Sequence, residues 1–258
     1  MSVPGAVPFA TMSPVRDIPY ADIDTLFLDV GNTLISIDFA WVAAELGVRG
    51  VVTDTEALRR AEAAARPGYS RRLFVDGVPA GTDLFRAYLV ALIERLPGAA
   101  RLSPAQFDAL LTDLRQVLRP DGRASVLWRS VMPGVPDALA RLQAQGLRLV
   151  VVSNSDGTVE QSLVEAGLQP YLSHVVDSAL AGYEKPDPRI FLHALAHTGA
   201  LAGRTLHIGD LYHADVVGAR CAGAHALLLD PYDDWRDLDC PVAHHLTEVA
   251  DAMAATRA

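Results

Sequence analysis

Three aspartates of this sequence stand at the ends of short apolar runs, where a carboxylate is well placed to do chemistry. Asp29 directly follows the run Thr25–Leu28, and Asp210 and Asp215 follow the run Thr205–Ile208. A carboxylate at the end of a buried strand can attack an electrophile or bind a hard cation. Two carboxylates on either side of a turn from strand into helix can face one pocket. Taken singly, each aspartate fits equally well as a turn residue or as a helix first-turn acid.

Two further polar clusters could bind an anion. Ser153 and Asn154 end the apolar run Val150–Val152, just before a predicted helix, where a hydroxyl and free backbone N–H groups form an anion site. Lys185 lies in the Pro-bracketed segment Glu184–Pro188 and is the single lysine among 22 basic residues. Lysine is a compact point charge, whereas the guanidinium of arginine is larger and planar. A lysine retained in a chain that otherwise uses arginine indicates a specific role, such as holding a carboxylate and a phosphate together.

The pattern of apolar residues predicts the elements that must position these groups. From Pro133 onward, helices alternate with short apolar strands, which is typical of βαβ units and a parallel sheet. In such sheets ligands bind at the carboxyl ends of the strands. The predicted strands cover residues 25–28, 147–152, 174–177, 205–208 and 225–229. The predicted helices of this part cover residues 135–145, 158–166, 188–197 and 213–222.

Residues 38–130 are predicted to be mainly helical, without a strong strand signal. Thr53 and Glu56 resemble a capping box ahead of a helix ending before Pro67. Thr82 is predicted to cap a helix reaching residue 96, and Ser103 one reaching residue 118. The chain is therefore predicted to be an α/β protein, a doubly wound, Rossmann-like parallel sheet with an inserted helical domain. Its predicted parts are an N-terminal extension (1–21), the core (22–37 and 131–258) and the insertion (38–130).

The composition of the chain limits which classes of partner and cellular location are expected. The net charge of −9 argues against nucleic acid as a main partner, but allows a small phosphorylated substrate held at one local site. The two cysteines, Cys221 and Cys240, provide no disulfide framework, which fits a reducing cytoplasm. No apolar run reaches the roughly 20 residues of a membrane span. The first 17 residues lack the charge pattern of a signal peptide and are predicted to be a loose extension. The oligomeric state stays open.

In order and spacing the four clusters together resemble the haloacid dehalogenase-like (HAD) superfamily, from about residue 22 to 230. The family pattern is hhhDxDxT, hhhS/T, Lys and GDxxxxD. This sequence matches it at Asp29, Thr33, Ser153, Lys185, Asp210 and Asp215. The helical insertion after the first motif resembles the type 1 cap of the family. The sequence DVGNTL of the first motif is similar to that of the Reg-2-like branch of the family.

The resemblance implies a role for each matching residue. Asp29 would be the nucleophile that forms an aspartyl intermediate, and Ser153 and Lys185 would hold the transferring phosphoryl group. Thr33 and Asn154 would complete the phosphate site. A magnesium ion would be bound by Asp29, Asp210 and the backbone carbonyl of Gly31, with Asp215 close behind. The implied activity is that of a phosphatase on a small phosphorylated metabolite.

Gly31 departs from the pattern, because family phosphatases have at this position an aspartate that protonates the leaving oxygen. The amide of Asn32 does not ionise and cannot replace it. Without an acid, turnover should be slower by about 10²–10⁴ and should favour leaving groups that need no proton, such as aryl or acyl phosphates.

Two other functions stay open. A 2-haloacid dehalogenase needs no acid, and Ser153-Asn154 resembles its SN pair, but those enzymes use no metal and lack the fourth motif. A magnesium- and phosphate-binding or partner-binding protein without turnover is the second alternative. Phosphonatase chemistry needs a lysine in the cap, and the insertion has none.

Several residues outside the four clusters have weaker claims to a function. His193 and His197 stand four apart, as a metal pair would, but an ordinary helix face is favoured. Cys221 is predicted to be a packed core residue. The remaining candidates are possible pocket residues, possible anion ligands of the insertion, and a tail pair: Tyr212 and His213; Arg66, Arg71 and Arg72; His244 and His245.

Overall fold

The structure is a computed structural model, and it describes residues 18–120 and 127–257. Most of the predicted N-terminal extension therefore lies outside the described residues. Within the described part of the chain, no helix is both long and apolar enough to cross a membrane.

A six-stranded parallel sheet forms the core, in the order β5-β4-β1-β6-β7-β8. The strands are β1 (Thr25–Leu28), β2 (Ile35–Ile37), β3 (Trp128–Val131), β4 (Arg148–Ser153), β5 (His174–Asp177), β6 (Thr205–Gly209), β7 (His225–Leu229) and β8 (Val242–Ala243). The helices are α1 (Phe39–Val48), α2 (Thr55–Arg71), α3 (Leu84–Ile93), α4 (Pro104–Leu118), α5 (Val135–Ala144), α6 (Val159–Glu165), α7 (Ser178–Ala181), α8 (Pro188–Thr198), α9 (Gly218–Cys221) and α10 (Leu246–Arg257).

Helices cover both faces of this sheet. Successive side chains of a strand point to opposite faces, so Leu26 and Leu28 of β1 pack into one apolar layer with α5, α6 and α10. Phe27 points the other way and packs with α8 and α9. The strands are mainly apolar because both faces of the sheet are buried. This arrangement confirms the predicted doubly wound α/β core.

Helices α1 to α4 lie between β2 and β3 and pack around a separate apolar cluster; we call them the helical insertion. Their N-termini are capped by polar side chains, as helix starts require. Ser103 caps α4 in a full capping box with Gln106, as predicted. The caps of α2 and α3 are Asp54 and Asp83, one residue after the predicted threonines, because their carboxylates accept the free backbone N–H groups.

Helix α2 is longer than the sequence predicts. It continues through Pro67 to Arg71 and passes into a π-helical turn, Arg72–Asp76, that ends at Gly77. Proline removes one helical hydrogen bond, yet Arg66 before it and Ser70 after it are both buried. Their tertiary contacts, Arg66 with Asp210 and Ser70 with His213, outweigh the local preference to stop.

Several further elements differ from the predictions. β2 and β3 pair antiparallel at the two ends of the insertion; neither strand was predicted, and most of β3 falls in the region 38–130 that was predicted to be mainly helical. Each strand is too short to be evident alone and exists through its partner. The predicted helix 213–222 is a π-helical turn, Tyr212–Val217, followed by α9. The sequence analysis did not predict β8 and α10.

Candidate active site

The carboxyl ends of β1, β4 and β6 meet at one edge of the sheet, because β1 pairs in parallel with both of the other strands. Asp29 follows β1, Ser153 ends β4, and Asp210 follows β6. All three residues are buried. Side chains that are far apart in sequence are thus brought to one place by the order of the strands.

Lys185 lies at the centre of this group. Its ammonium Nζ donates to Oδ1 of Asp29 at 2.6 Å and to Oδ1 of Asp215 at 2.7 Å, and it is 3% exposed. The loop is fixed by Asn154, whose side-chain amide donates to the Lys185 carbonyl and accepts from its backbone N–H. Asn154 therefore orients the lysine, although the sequence predicted it as a phosphate ligand.

Asp215 is held from three sides. Besides Lys185, its carboxylate contacts Nε2 of His207 at 2.9 Å and accepts the backbone N–H of Leu211 at 2.9 Å. A Cβ at Gly209 would lie only 2.2 Å from Cγ of Asp215. The glycine of the Gly-Asp…Asp motif is therefore needed for space, because the carboxylate packs directly on its backbone.

Burial and charge set the protonation of these groups. Burial raises the pKa of Asp210 to about 8, although Arg66 acts against it. Burial also acts to raise the pKa of Asp215, but Lys185 and His207 outweigh it, so that this pKa falls below its ordinary value. The two aspartates Asp215 and Asp29 outweigh the burial of Lys185 and raise its pKa. Lys185 and Asp215 are thus an ionised pair, whereas the positive charge near Asp210 is too small to offset the burial of its carboxyl group.

The oxygen atoms of Asp29, Asp210 and Asp215 can lie within 4.8 Å of one another. Of the residues that the structure describes, these three are the group suited to a metal ion. Hard cations such as Mg²⁺ prefer such oxygen ligands. Counted with Glu62, four buried carboxylates face two buried cations, Arg66 and Lys185, and a divalent cation would balance the difference. The donor set therefore fits Mg²⁺.

The helical insertion contributes Glu62, which the sequence analysis missed. This α2 residue is 1% exposed, and its carboxylate accepts from Nδ2 of Asn32 at 3.0 Å and from Arg66 at 2.6 Å. Asn32 also donates to Asp210 at 3.2 Å, and Nε of Arg66 lies 3.3 Å from the same carboxylate. The spacing of Glu62 and Arg66, one helical turn apart, was the available signal. Asn32 reaches these partners from a left-handed backbone conformation, φ +52°, which asparagine tolerates.

Trp128 of β3 fills the space beside Gly31. A Cβ at residue 31 would lie 3.3 Å from Cζ3 and 3.6 Å from Cη2 of the Trp128 ring. The φ angle of Gly31 is outside the left-handed region, so the backbone itself permits a side chain. The place of an acidic side chain at position 31 is thus partly taken by an aromatic ring.

A cavity of about 810 Å³ opens from this cluster toward the helical insertion. Seven of the predicted site residues line it: Asp29, Gly31, Ser153, Asn154, Lys185, Asp210 and Asp215. Thr33 does not line it, and its buried hydroxyl has no hydrogen-bond partner within the described residues. Its predicted phosphate contact stays a prediction.

Of the weaker candidates, Arg66 lies in the site and the others lie elsewhere. Arg71 and Arg72 are exposed, and His213 and Tyr212 contact Ser70 and Asp239 rather than the cavity. The prediction that Cys221 is a packed core residue is wrong, because α9 buries Gly218 and Ala219 and leaves the cysteine exposed.

The two histidine pairs also lie outside the cavity. His193 and His197 stack on each other on the surface of α8. His244 is exposed and lies 3.2 Å from Asp233. Neither pair belongs to the metal-suited group found among the described residues.

Comparison with known proteins points to one family. Residues 23–223 match the model of the haloacid dehalogenase-like hydrolases. The haloacid dehalogenase-like hydrolase domain-containing protein 3 of Bos taurus is 34% identical over 145 residues, which are 55% of this chain and 57% of the relative. The glyceraldehyde 3-phosphate phosphatase of Methanothermobacter thermautotrophicus is 35% identical over 100 residues, 38% of this chain and 44% of the relative. The chain thus spans only about half the length of such curated relatives.

Among solved structures, the magnesium-bound HAD-hydrolase YfnB of Bacillus subtilis is similar, with a TM-score of 0.63 and 19% identity. The alignment covers 90% of this chain and 98% of that protein. At this identity the likeness supports the fold.

Proposed function

Because the chain belongs to the haloacid dehalogenase-like hydrolases, we propose that it is a magnesium-dependent phosphatase that acts on a small phosphorylated molecule through an aspartyl-phosphate at Asp29. The observation that carries the proposal is the position of this carboxylate. It lines the cavity, 2.6 Å from the ammonium of Lys185 and beside Asp210 and Asp215. Phosphatases among the relatives support the same reaction class.

Mg²⁺ would be held by Asp29, Asp210 and the backbone carbonyl of Gly31, with Asp215 close behind. When bound, it would neutralise part of the charge of the phosphoryl group. Lys185 adds a fixed positive charge on the same side, and its contact with Asp215 keeps it in place. Ser153, and Thr33 if its turn opens, would hydrogen-bond the phosphoryl oxygens.

The reaction proceeds in two displacements. A carboxylate oxygen of Asp29 attacks phosphorus, the bond from phosphorus to the leaving oxygen breaks, and that oxygen departs with the electron pair. Water then attacks the phosphorus of the aspartyl-phosphate, which releases inorganic phosphate and restores Asp29. In both steps Gly31 can neither give nor take a proton, so solvent must do so. Such a missing acid and base lowers the rate by about 10²–10⁴.

We take the helical insertion, residues 38–130, as a cap over the site, with residues 22–37 and 131–258 as the core. Helix α2 supports this proposal through contacts along its length. Arg60 forms a two-pronged ion pair with Asp234 at 2.6 Å, and Ser70 contacts His213 at 2.9 Å. Between them, Glu62 reaches into the site itself. The cap would exclude water and select the leaving group.

The test is hydrolysis of p-nitrophenyl phosphate with Mg²⁺ or with a chelator. Native protein should release phosphate only with Mg²⁺, and Asp29→Asn should abolish release. Asp22→Asn is the matched control, because this exposed aspartate precedes the same strand. Activity that survives in Asp29→Asn would refute the proposed nucleophile. Metal-free dehalogenation of 2-chloropropionate would establish the dehalogenase. Inactivity in both assays would favour the binding protein without turnover.

A further inference from the structure

Five aromatic rings line the cavity, and one of them, Tyr88, donates its hydroxyl to the Glu62 carboxylate at 3.3 Å. We call Tyr69, Phe74, Phe85, Tyr88 and Trp128 the aromatic wall. Its members are half-buried and come from α2, the π-helical turn, α3 and β3. The Tyr88 ring lies 5.8 Å from that of Tyr69, 6.4 Å from that of Phe85 and 6.0 Å from that of Trp128, centre to centre. Because Trp128 also packs beside Gly31, the wall begins where the leaving group of a substrate must lie.

The two buried cations of the cavity are committed to carboxylates. Among the described residues, three cations line the cavity. Lys185 is paired with two aspartates and Arg66 with Glu62 and Asp210. The third, Arg119, is partly exposed, 3.5 Å from Asp156, and its guanidinium lies over the Phe85 ring of the wall. A second phosphate or carboxylate in the buried part of the cavity would lack a cation of its own, and burying an unpaired charge is costly.

The aromatic wall and the absence of a proton donor at position 31 favour the same kind of substrate. Half-buried aromatic rings that line a cavity gain free energy when an apolar group covers them. An oxygen bound to an aromatic ring leaves as a stabilised phenolate, and so needs less help from an acid than an alkoxide does. The volume of about 810 Å³ is ample for such a group.

From these observations we infer that the substrate is a phosphate monoester with an aromatic leaving group, which stacks against the aromatic wall. The inference rests on the proposed phosphatase function and names its substrate class. Lys185 and the carboxylates hold the phosphoryl end, and the wall holds the ring. The phosphorus–oxygen bond breaks with its electron pair going to the oxygen on the ring, and the resulting phenolate takes its proton from solvent.

The test separates binding by the wall from the acidity of the leaving group. The probes are 3-phenylpropyl phosphate and propyl phosphate, two alkyl esters that differ only in a remote phenyl ring. We expect the phenyl ester to have a KM about tenfold lower, the effect of burying much of one ring. Phe74→Ala and Phe85→Ala should shrink this ratio toward one. Phe107→Ala is the matched control, because Phe107 packs within the insertion and does not line the cavity.

A second measurement needs no turnover. Calorimetric binding of 3-phenylpropylphosphonate and propylphosphonate in Mg²⁺ should show the same preference, and Phe74→Ala should lose it. Hydrolysis of both esters with equal KM, or a preference that Phe74→Ala and Phe85→Ala leave intact, would overturn the inference and leave the phosphatase standing. If the protein hydrolyses neither these esters nor p-nitrophenyl phosphate but still prefers the phenyl phosphonate, the phosphatase function falls and selection by the wall stands. Equal binding of both phosphonates, without hydrolysis of any of the three esters, would overturn both.

Discussion

Introducing an acidic side chain at position 31 tests the role of the missing proton donor, and the structure shows that the Trp128 ring partly occupies the space this side chain needs. In Gly31→Asp the new Cβ would lie 3.3 Å from the Trp128 ring, tighter than ordinary van der Waals contact. The single substitution therefore overpacks the site, and we pair it with Trp128→Leu, which removes the contacting ring atoms.

The magnitude follows from two opposing effects. A well-placed general acid raises the rate by about 10²–10⁴, whereas a misplacement by about 1 Å can cost about 10². We therefore expect Gly31→Asp alone to gain about tenfold or less in kcat on an alkyl phosphate. In Gly31→Asp with Trp128→Leu the gain over Trp128→Leu alone should reach about a hundredfold or more. An aryl phosphate, which needs little protonation, should gain much less.

The assay is steady-state hydrolysis of propyl phosphate and p-nitrophenyl phosphate in Mg²⁺ by the native protein and each variant. Gly31→Asn with Trp128→Leu is the control, because asparagine has the shape of aspartate without its acid. If the asparagine variant gains as much as the aspartate variant, the effect is steric. An equal gain on both esters would likewise refute the role assigned to the missing proton donor.

Three further predictions concern the support of the carboxylates. Gly209→Ala should abolish Mg²⁺-dependent activity, because its Cβ would lie 2.2 Å from Cγ of Asp215; full activity would show that this carboxylate is dispensable. Burial raises the pKa of Asp210 to about 8 in the folded protein, whereas in the unfolded chain this carboxyl ionises near pH 4. The folded protein therefore loses stability as the pH rises from about 4 to 8. Without Mg²⁺ at pH 8, Asp210→Asn should therefore melt a few degrees higher than the native protein, and added Mg²⁺ should raise only the native Tm. His207→Phe removes a buried hydrogen bond to Asp215 and should lower the free energy of unfolding by about 1–3 kcal/mol in urea titration; an unchanged midpoint would contradict this role.

Much of the core could be predicted because its signals are local. Each strand of the parallel sheet except the short β8 is a largely apolar run that ends in or is followed by a polar residue, and Asp29 and Asp210 directly follow two of these strands. The parallel sheet then brings those ends together whatever their distance in sequence. Lys185 was found because it is the only lysine of the chain.

The features that escaped prediction depend on tertiary contacts. Glu62 is an unremarkable residue of an Ala- and Arg-rich helix until the fold places it beside Asn32 and Asp210. The approach of Trp128 to Gly31 arises from the pairing of β2 with β3, two strands of three and four residues that no local pattern marks. Helix α2 passes through Pro67 for the same reason, since the tertiary contacts of the buried Arg66 and Ser70 outweigh the local penalty.

The central claim is that Asp29 carries the phosphoryl group, and trapping it tests this claim most directly. Because position 31 offers no base to activate water, the second displacement should be slow and the phosphorylated protein should accumulate with p-nitrophenyl phosphate. We predict that protein quenched in acid during turnover and analysed by mass spectrometry carries one phosphate, on the peptide that contains Asp29, and that hydroxylamine removes it. Phosphate on another residue, or turnover by Asp29→Asn at the native rate, would contradict the claim.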